Sequence, residues 1–167
     1  MKILIFTEGT IIMHRTAVGH NRREVVSQVW SDKEAVHNYE SYVPVAEAVQ
    51  KLTHWQEDGA EIFYLTSRRK PDEIQQVQSV LRKHEFPDGQ LLFRRPGEKY
   101  ADVAERLDPD VLVEDDCESI GGIKEMTITH VRPDLKSHIK SIPIKEFGGI
   151  DHLPDNISAL LDYKVGG

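Results

Sequence analysis

Three short polar clusters contain the residue types that could bind a metal ion or a phosphate group. They are Thr7-Glu8-Gly9-Thr10, Thr66-Ser67-Arg68 and Glu114-Asp115-Asp116, and each one directly follows an apolar run. Carboxylate oxygens are ligands that Mg²⁺ prefers, whereas hydroxyl, backbone N–H and guanidinium groups bind phosphate oxygens. Together the three clusters predict one crevice that holds a metal ion and a phosphate group side by side.

The apolar runs before these clusters are typical of short buried strands. Ile3 to Phe6, Ile62 to Leu65 and Val111 to Val113 are rich in β-branched and aromatic residues. Apolar residues recur at helical spacing in the segments that lie between and beside these runs, namely 45–55, 74–81 and 100–107. Strands that alternate with helices predict an α/β fold with a doubly wound, mostly parallel sheet. In such a sheet, ligands bind at the carboxyl ends of the strands, which is where the polar clusters lie.

The remaining segments complete one predicted domain over residues 1–167. Leu91 to Phe93 is expected to be a short strand, and the alternating Thr and Ile residues of Met126 to Val131 predict a fifth strand. Ile142 to Ile144 is a candidate sixth strand, and Asn156 to Tyr163 a last helix. Residues 11–42 are expected to form a small helical insertion, with helices near 23–30 and 32–39.

Four segments resemble the motifs of the haloacid dehalogenase superfamily, and the resemblance covers roughly residues 1–131. Phe6-Thr7-Glu8-Gly9-Thr10 is similar to its first motif, Asp-x-Asp-Gly-Thr, with the Gly-Thr pair intact. The strand that ends in Thr66 resembles the second motif, Lys99 lies where the third-motif lysine is expected, and 111–116 resembles the acidic fourth motif. The resemblance implies a Rossmann-like α/β domain in which residues 11–42 form a cap-like insertion.

The resemblance also implies a role for each matching residue. Glu8 matches the acid/base carboxylate, and it is also an expected metal ligand together with Asp115 and Asp116. The implied cofactor is Mg²⁺, and the implied ligand is phosphate or a small phosphorylated molecule. The residues expected to bind the phosphate group are Gly9, Thr10, Thr66, Ser67, Arg68 and Lys99, with Arg94 or Arg95 as alternatives to Lys99.

Phe6 departs from the family pattern at the position of the attacking aspartate. A benzyl side chain can neither attack phosphorus nor bind Mg²⁺, so the covalent step that uses a carboxylate nucleophile is lost. We therefore favour a catalytically impaired protein, or a non-catalytic one that binds ligands or regulates a partner, because electrostatic binding survives in the residues present. The alternative is a divergent Mg²⁺-dependent phosphohydrolase that acts on a small phosphorylated metabolite.

Each motif residue also has a purely structural interpretation. Glu8 could cap the turn after its strand, and Thr66 with Ser67 could cap the next helix. Lys99 could be a solvated surface charge. Three consecutive acids repel one another unless a cation, a helix N-terminus or a basic side chain compensates, so 114–116 could bind a metal ion or cap a helix.

Composition narrows the class of protein. The formal net charge of −7 repels polyanions, so we expect no nucleic-acid partner, and the chain has no apolar run of the length that a bilayer requires. Cys117 is the only cysteine and is expected to be a packed thiol in a reducing cytoplasm. The eight histidines lack the spacing of a zinc site. Nothing in the composition predicts an oligomeric state.

Overall fold

The computed structural model describes residues 1–15 and 41–166, and its centre is a five-stranded parallel sheet. The strands in chain order are β1 (Lys2–Phe6), β2 (Ile12–His14), β3 (Tyr42–Pro44), β4 (Glu61–Leu65), β5 (Gln90–Leu92), β6 (Val111–Asp115) and β7 (Lys140–Ile144). Every neighbouring pair of strands in the five-stranded sheet is parallel, and their order is β5-β4-β1-β6-β7. The predicted doubly wound α/β fold is therefore confirmed.

Helices cover both faces of this sheet because consecutive strand residues point to opposite sides. Ile3 and Ile5 pack in one core with Trp55, whereas Leu4 and Phe6 pack in a second core on the other face. The helices are α1 (Ala48–Glu57), α2 (Pro71–Lys83), α3 (Tyr100–Leu107), α4 (Thr127–His130), α5 (Pro133–Lys136) and α6 (Ile157–Leu161). The first core takes its helical residues from α1, α2 and α6, and the second takes them from α3, α4 and α5.

The segment that follows β1 begins and ends in a small two-stranded sheet. Strands β2 and β3 pair antiparallel, with Met13 opposite Val43. The helices expected near 23–30 and 32–39 lie outside the described residues. The helix of segment 45–55 begins only at Ala48, because Pro44 is the last residue of β3 and Val45 N donates a hydrogen bond of 2.8 Å to Ile11 O.

The prediction of a strand over Met126 to Val131 is wrong, because these residues contain the short helix α4. The buried carboxylate of Glu114 accepts hydrogen bonds from the backbone N–H groups of Thr127 (2.7 Å) and Ile128 (3.1 Å). These two N–H groups lie at the start of α4, where a helix leaves them without a backbone acceptor. The fifth strand of the sheet is instead β7, whose Pro143 is tolerated because β7 lies at the edge.

Among the described residues, no helix has both the length and the apolar character that crossing a bilayer would require.

Candidate functional site

The three polar clusters meet at the carboxyl edge of the sheet, where β1 lies between β4 and β6. The chain runs from β1 outward to β4 and β5, and it then returns to the other side of β1 to form β6. This change of direction makes the gap between β1 and β6 the position where an open parallel sheet binds its ligands. The predicted convergence of the strand ends is therefore present in the structure.

A tight loop follows β1 and presents Glu8 and Gly9 to this edge. Thr7 O accepts hydrogen bonds from three backbone N–H groups, those of Thr10, Ile11 and Ile12. Gly9 has a φ of +81°, a backbone conformation that residues with a Cβ atom adopt only with strain. Its carbonyl oxygen accepts a hydrogen bond of 2.9 Å from Phe147 N, so the segment after β7 holds the loop in place.

The carboxylate of Glu8 is surrounded by the donors that were predicted to bind phosphate. Thr66 Oγ1 donates to Glu8 Oε1 at 2.5 Å, Ser67 N donates to Glu8 Oε2 at 3.3 Å, and the Thr7 hydroxyl also donates to Oε2. Arg68 Nε lies 3.9 Å from Glu8 Oε1, which is an ion pair but too long for a hydrogen bond. We call Thr66, Ser67 and Arg68 the anion site.

Thr66 holds the anion site together because its hydroxyl is fully buried and makes two contacts. It donates to Glu8, and it accepts a hydrogen bond of 3.1 Å from Arg68 N. Its own backbone N–H donates to Leu92 O of the neighbouring strand at 3.1 Å. A ligand that reached Thr66 Oγ1 would therefore meet a donor fixed in position by two strands.

Arg94 and Tyr100 form the side of the anion site that faces β5. The guanidinium carbon of Arg94 lies 4.1 Å from the centre of the Tyr100 ring, and Nη2 donates to Ser67 O at 3.0 Å. Burial raises the pKa of the Tyr100 phenol, the charge of Arg94 lowers it, and the carboxylate of Glu8 raises it again. Tyr100 thus lies within electrostatic range of both the carboxylate and the guanidinium group.

Phe6 is part of the apolar core rather than of the polar crevice. Its ring packs edge-on against Tyr100, with 5.0 Å between the ring centres, and the side chain is buried. The position that resembles the attacking aspartate is therefore filled by a packed aromatic ring.

Three carboxylates on the other side of Gly9 form a second group, which we call the acidic cluster. Asp115, Asp116 and Glu146 each offer one oxygen atom, and these atoms all lie within 4.8 Å of one another. Asp115 Oδ2 lies 3.6 Å from the position that a Cβ atom on Gly9 would take, so the cluster adjoins the loop after β1. Glu8 does not belong to the cluster, since its carboxylate faces the anion site.

Hydrogen bonds orient the carboxylates of the acidic cluster. Cys117 N donates to Asp115 Oδ1 at 3.0 Å, while Ser119 donates to Glu146 Oε1 through N (2.9 Å) and Oγ (3.0 Å). Burial raises the pKa of Asp115, the Cys117 N–H lowers it, and the neighbouring carboxylate of Glu146 raises it further. A bound cation would offset this repulsion between carboxylates.

Glu114 serves the fold instead of the crevice. It points to the opposite face of β6 from Asp115, where its carboxylate accepts from the first N–H groups of α4. Burial raises its pKa to about 7, although hydrogen bonds from the Thr127 and Ile128 backbone lower it. The capping interpretation therefore holds for the first of the three consecutive acids, and the other two lie in the acidic cluster.

The other predicted phosphate ligands lie in different surroundings. The Thr10 hydroxyl is fully buried and has no hydrogen-bond partner among the described residues. Lys99 is exposed just before α3, where its backbone N–H donates to Asp102 Oδ2 at 2.7 Å. Among the predicted cations, Arg68 and Arg94 therefore lie at the anion site, through their contacts with Glu8 and with Ser67 O.

Sequence reasoning missed Glu146 and Tyr100. Asp115 is the last residue of β6 and Glu146 lies two residues beyond the end of β7, so a polar residue close to the end of an apolar strand is the signal that points to Glu146. Tyr100 begins the segment 100–107 in which apolar residues recur at helical spacing, and no sequence signal indicates that Arg94 stacks on it.

Comparisons with known proteins support the fold. No protein-family model matches the chain, and no curated protein sequence matches it. The chain resembles a chain of the Pnkp1/Rnl/Hen1 RNA repair complex over 86% of its length, with a TM-score of 0.52 and 13% identity, and spans 43% of that chain. It resembles a class C acid phosphatase from Bacillus anthracis, solved with tungstate bound, over 99% of its length, with a TM-score of 0.55 and 15% identity, and spans 73% of that chain. At these identities the likeness shows the fold alone, an α/β fold with a parallel sheet flanked by helices.

Proposed function

We propose that this protein binds a small phosphorylated molecule at the anion site and does not transfer the phosphoryl group through a covalent intermediate. The observation that carries the proposal is that Thr66, Ser67 and Arg68 already surround an anion, the carboxylate of Glu8. Hydroxyl and N–H donors that converge on a carboxylate oxygen are also suited to a phosphate oxygen. Phe6 removes the nucleophile, so binding rather than catalysis is the property that these residues retain.

In this proposal Glu8 and the phosphate group compete for the same donors. A phosphate that reaches Thr66 Oγ1 must displace the Glu8 carboxylate, and two anions side by side would repel each other. Arg68 and Arg94 supply the nearby positive charge, and the buried Thr10 hydroxyl and the Gly9 loop complete the predicted phosphate ligands. Lys99 stays a prediction, since it is exposed at the edge of the site.

The competition gives a direct test with orthophosphate and the Glu8→Gln variant. Glutamine keeps the size of the side chain but removes its charge, so we expect the Kd for phosphate to fall by about tenfold or more, or ~1.4 kcal/mol. Isothermal titration calorimetry on the full chain measures the Kd, and the shift in melting temperature provides a second readout. Glu57→Gln, an exposed acid in α1, is the matched control. An unchanged or weaker affinity in Glu8→Gln would contradict the proposal.

Mg²⁺ is the cofactor that we propose for the acidic cluster. Three carboxylates with ligand atoms within 4.8 Å of one another fit a hard cation that takes oxygen ligands, although Phe6 contributes none. When bound, the ion would neutralise charge between the cluster and a phosphate at the neighbouring anion site. We expect Mg²⁺ to raise the melting temperature of the native chain and to have no such effect on Asp115→Asn.

A second candidate function is a divergent Mg²⁺-dependent phosphohydrolase, which the acidic cluster beside Gly9 favours. Here Glu8 would act as the acid/base, and water would be the nucleophile. Mg²⁺-dependent hydrolysis of an aryl phosphate that Glu8→Gln abolishes would support this function. The binding function would be supported if neither the native chain nor Glu8→Gln hydrolysed the aryl phosphate and Glu8→Gln bound phosphate more tightly than the native chain.

Phe6→Asp tests whether the rest of the site matches the family pattern. The change places a carboxylate between the loop of Glu8 and Tyr100, so we expect phosphatase activity to appear only in this variant and only with Mg²⁺. Phe6→Leu, which keeps the position apolar, should remain inactive.

We place the proposed phosphate-binding function in a reducing cytoplasm, which suits a chain with one cysteine.

A further inference from the structure

The loops that follow β4 and β5 concentrate positive charge on an acidic molecule. Residues 67–70 and 93–99 contain six of the 21 lysines and arginines but only one of the 28 acids, Glu98. The net charge of the whole chain is −7, so the local potential here is opposite in sign to that of the molecule. The six cations are Arg68, Arg69, Lys70, Arg94, Arg95 and Lys99.

Backbone and side-chain contacts join these two loops into one surface. Strands β4 and β5 are parallel neighbours, with Leu65 opposite Leu92 at their carboxyl ends. Arg94 Nη2 donates to Ser67 O at 3.0 Å, and Arg69 Nη2 donates to Glu98 O at 3.2 Å. The cations of both loops therefore lie beside the anion site.

Five of the six cations divide into an inner and an outer set, and the sixth, Lys99, lies exposed just before α3. Arg68 and Arg94 are partly buried and lie against Glu8 and Tyr100, as described above. Three others are exposed, and none of them lies within 4.0 Å of a carboxylate among residues 1–15 and 41–166; we call them the outer cations, Arg69, Lys70 and Arg95.

The one acid in these loops does not neutralise the outer cations. The Glu98 carboxylate pairs with Arg106 of α3 and accepts the Arg95 backbone N–H at 2.7 Å. These contacts lower the pKa of Glu98, and the Arg95 N–H has the largest effect. The negative charge of Glu98 is therefore already paired with Arg106 and the Arg95 N–H. The guanidinium and ammonium groups of the outer cations are therefore available to bind an anion from solution.

We propose that the ligand carries a second phosphate group adjacent to the first, and that the outer cations bind this second group. The inference rests on the proposed function, because the first phosphate is the one that contacts Thr66. The inner cations balance one phosphate, and the outer cations offer two guanidinium groups, which bind phosphate through paired N–H donors. A small diphosphate fits better than a polynucleotide, since the rest of this acidic chain repels a long polyanion.

Pyrophosphate and orthophosphate test the proposal on the full chain, at constant ionic strength and with EDTA present. We expect pyrophosphate to bind at least about tenfold more tightly than orthophosphate. In the double variant Arg69→Ala/Arg95→Ala we expect this ratio to fall below about threefold, while the Kd for orthophosphate changes by less than about twofold. Both side chains are exposed, so the fold should tolerate their removal.

The matched control removes two exposed cations at the far end of α2, through Arg82→Ala/Lys83→Ala. The control should keep the native preference for pyrophosphate, because screening at physiological salt limits the effect of distant charges to about 8 Å. Equal binding of the two anions to the native chain would overturn this proposal alone. An equal loss in the control would also overturn it, since net charge would then explain the preference. If neither anion binds, the proposed function fails as well.

Discussion

At the scale of single residues, Thr66 connects the chemistry of the anion site with its stability. Its buried hydroxyl donates to Glu8 and accepts from Arg68 N. Thr66→Val keeps the shape but removes both contacts, so we expect the free energy of unfolding to fall by about 1–3 kcal/mol. We also expect phosphate to lose its effect on the melting temperature. Urea denaturation measures the free energy of unfolding, and thermal denaturation with and without phosphate measures the shift in melting temperature.

Thr53→Val is the control for this change. The Thr53 hydroxyl donates to Val49 O within α1, far from the anion site. The control should lose little stability and should keep the phosphate effect. A normal phosphate response in Thr66→Val would show that its hydroxyl is not a ligand.

Cys117 offers a prediction about pH at the same scale. Burial raises the pKa of its thiol to about 12, and the carboxylates of Asp115 and Glu114 add to the shift. A raised pKa means that the neutral thiol is favoured, and only the thiolate reacts with alkylating agents. We therefore expect the rate of alkylation by iodoacetamide to rise about tenfold per pH unit from pH 7 to 10. A plateau near pH 9, as free cysteine would show, would contradict this.

At the scale of elements, α4 depends on a residue from another element. Glu114→Ala removes the acceptor of the Thr127 and Ile128 N–H groups, which are the first of the helix. Because buried N–H groups without acceptors are costly, we expect a loss of about 1–3 kcal/mol in the free energy of unfolding. Hydrogen exchange should also accelerate at these two amides. Glu125→Ala, which removes an exposed acid from the same segment, should change neither quantity.

The same helix shows which elements the sequence could predict. Strands β1, β4 and β6 were found because each combines an apolar run with a polar end, and α2 because its apolar residues recur over 13 residues. The four residues of α4 are too few to show a helical period, and the Thr-Ile-Thr sequence of 127–129 has the alternation that is typical of a strand. The determining contact comes from Glu114, 13 residues away, and no local pattern reports it.

Prediction of the site had a similar limit. The three clusters and their meeting place could be predicted, because the carboxyl ends of parallel strands share one edge. The partner of Glu8 could not, since a carboxylate at a strand end can face a metal ion or a set of donors, and only the structure shows that it faces Thr66. Glu146 follows a strand whose edge position and Pro143 weaken the sequence pattern.

At the scale of the whole molecule, stability should depend on the centre of the sheet more than on its edges. Leu112 of β6 is fully buried, whereas Leu92 of the edge strand β5 is only partly buried in the same core. We expect Leu112→Ala to cost about 2–5 kcal/mol in the free energy of unfolding and Leu92→Ala below about 2 kcal/mol. Urea denaturation at one pH compares them. Similar losses would mean that the edge strand is as rigidly packed as the centre.

The central place of β1 has a consequence for synthesis on the ribosome. Asp115, at the end of the second strand that flanks β1, is synthesised about 110 residues after Phe6. At a synthesis rate of about 5–20 residues per second, β6 is completed about 5 to 20 s after β1. During that interval the apolar side chains of Ile3, Leu4 and Ile5 are exposed on the nascent chain. We therefore expect β1 to be a segment to which chaperones bind.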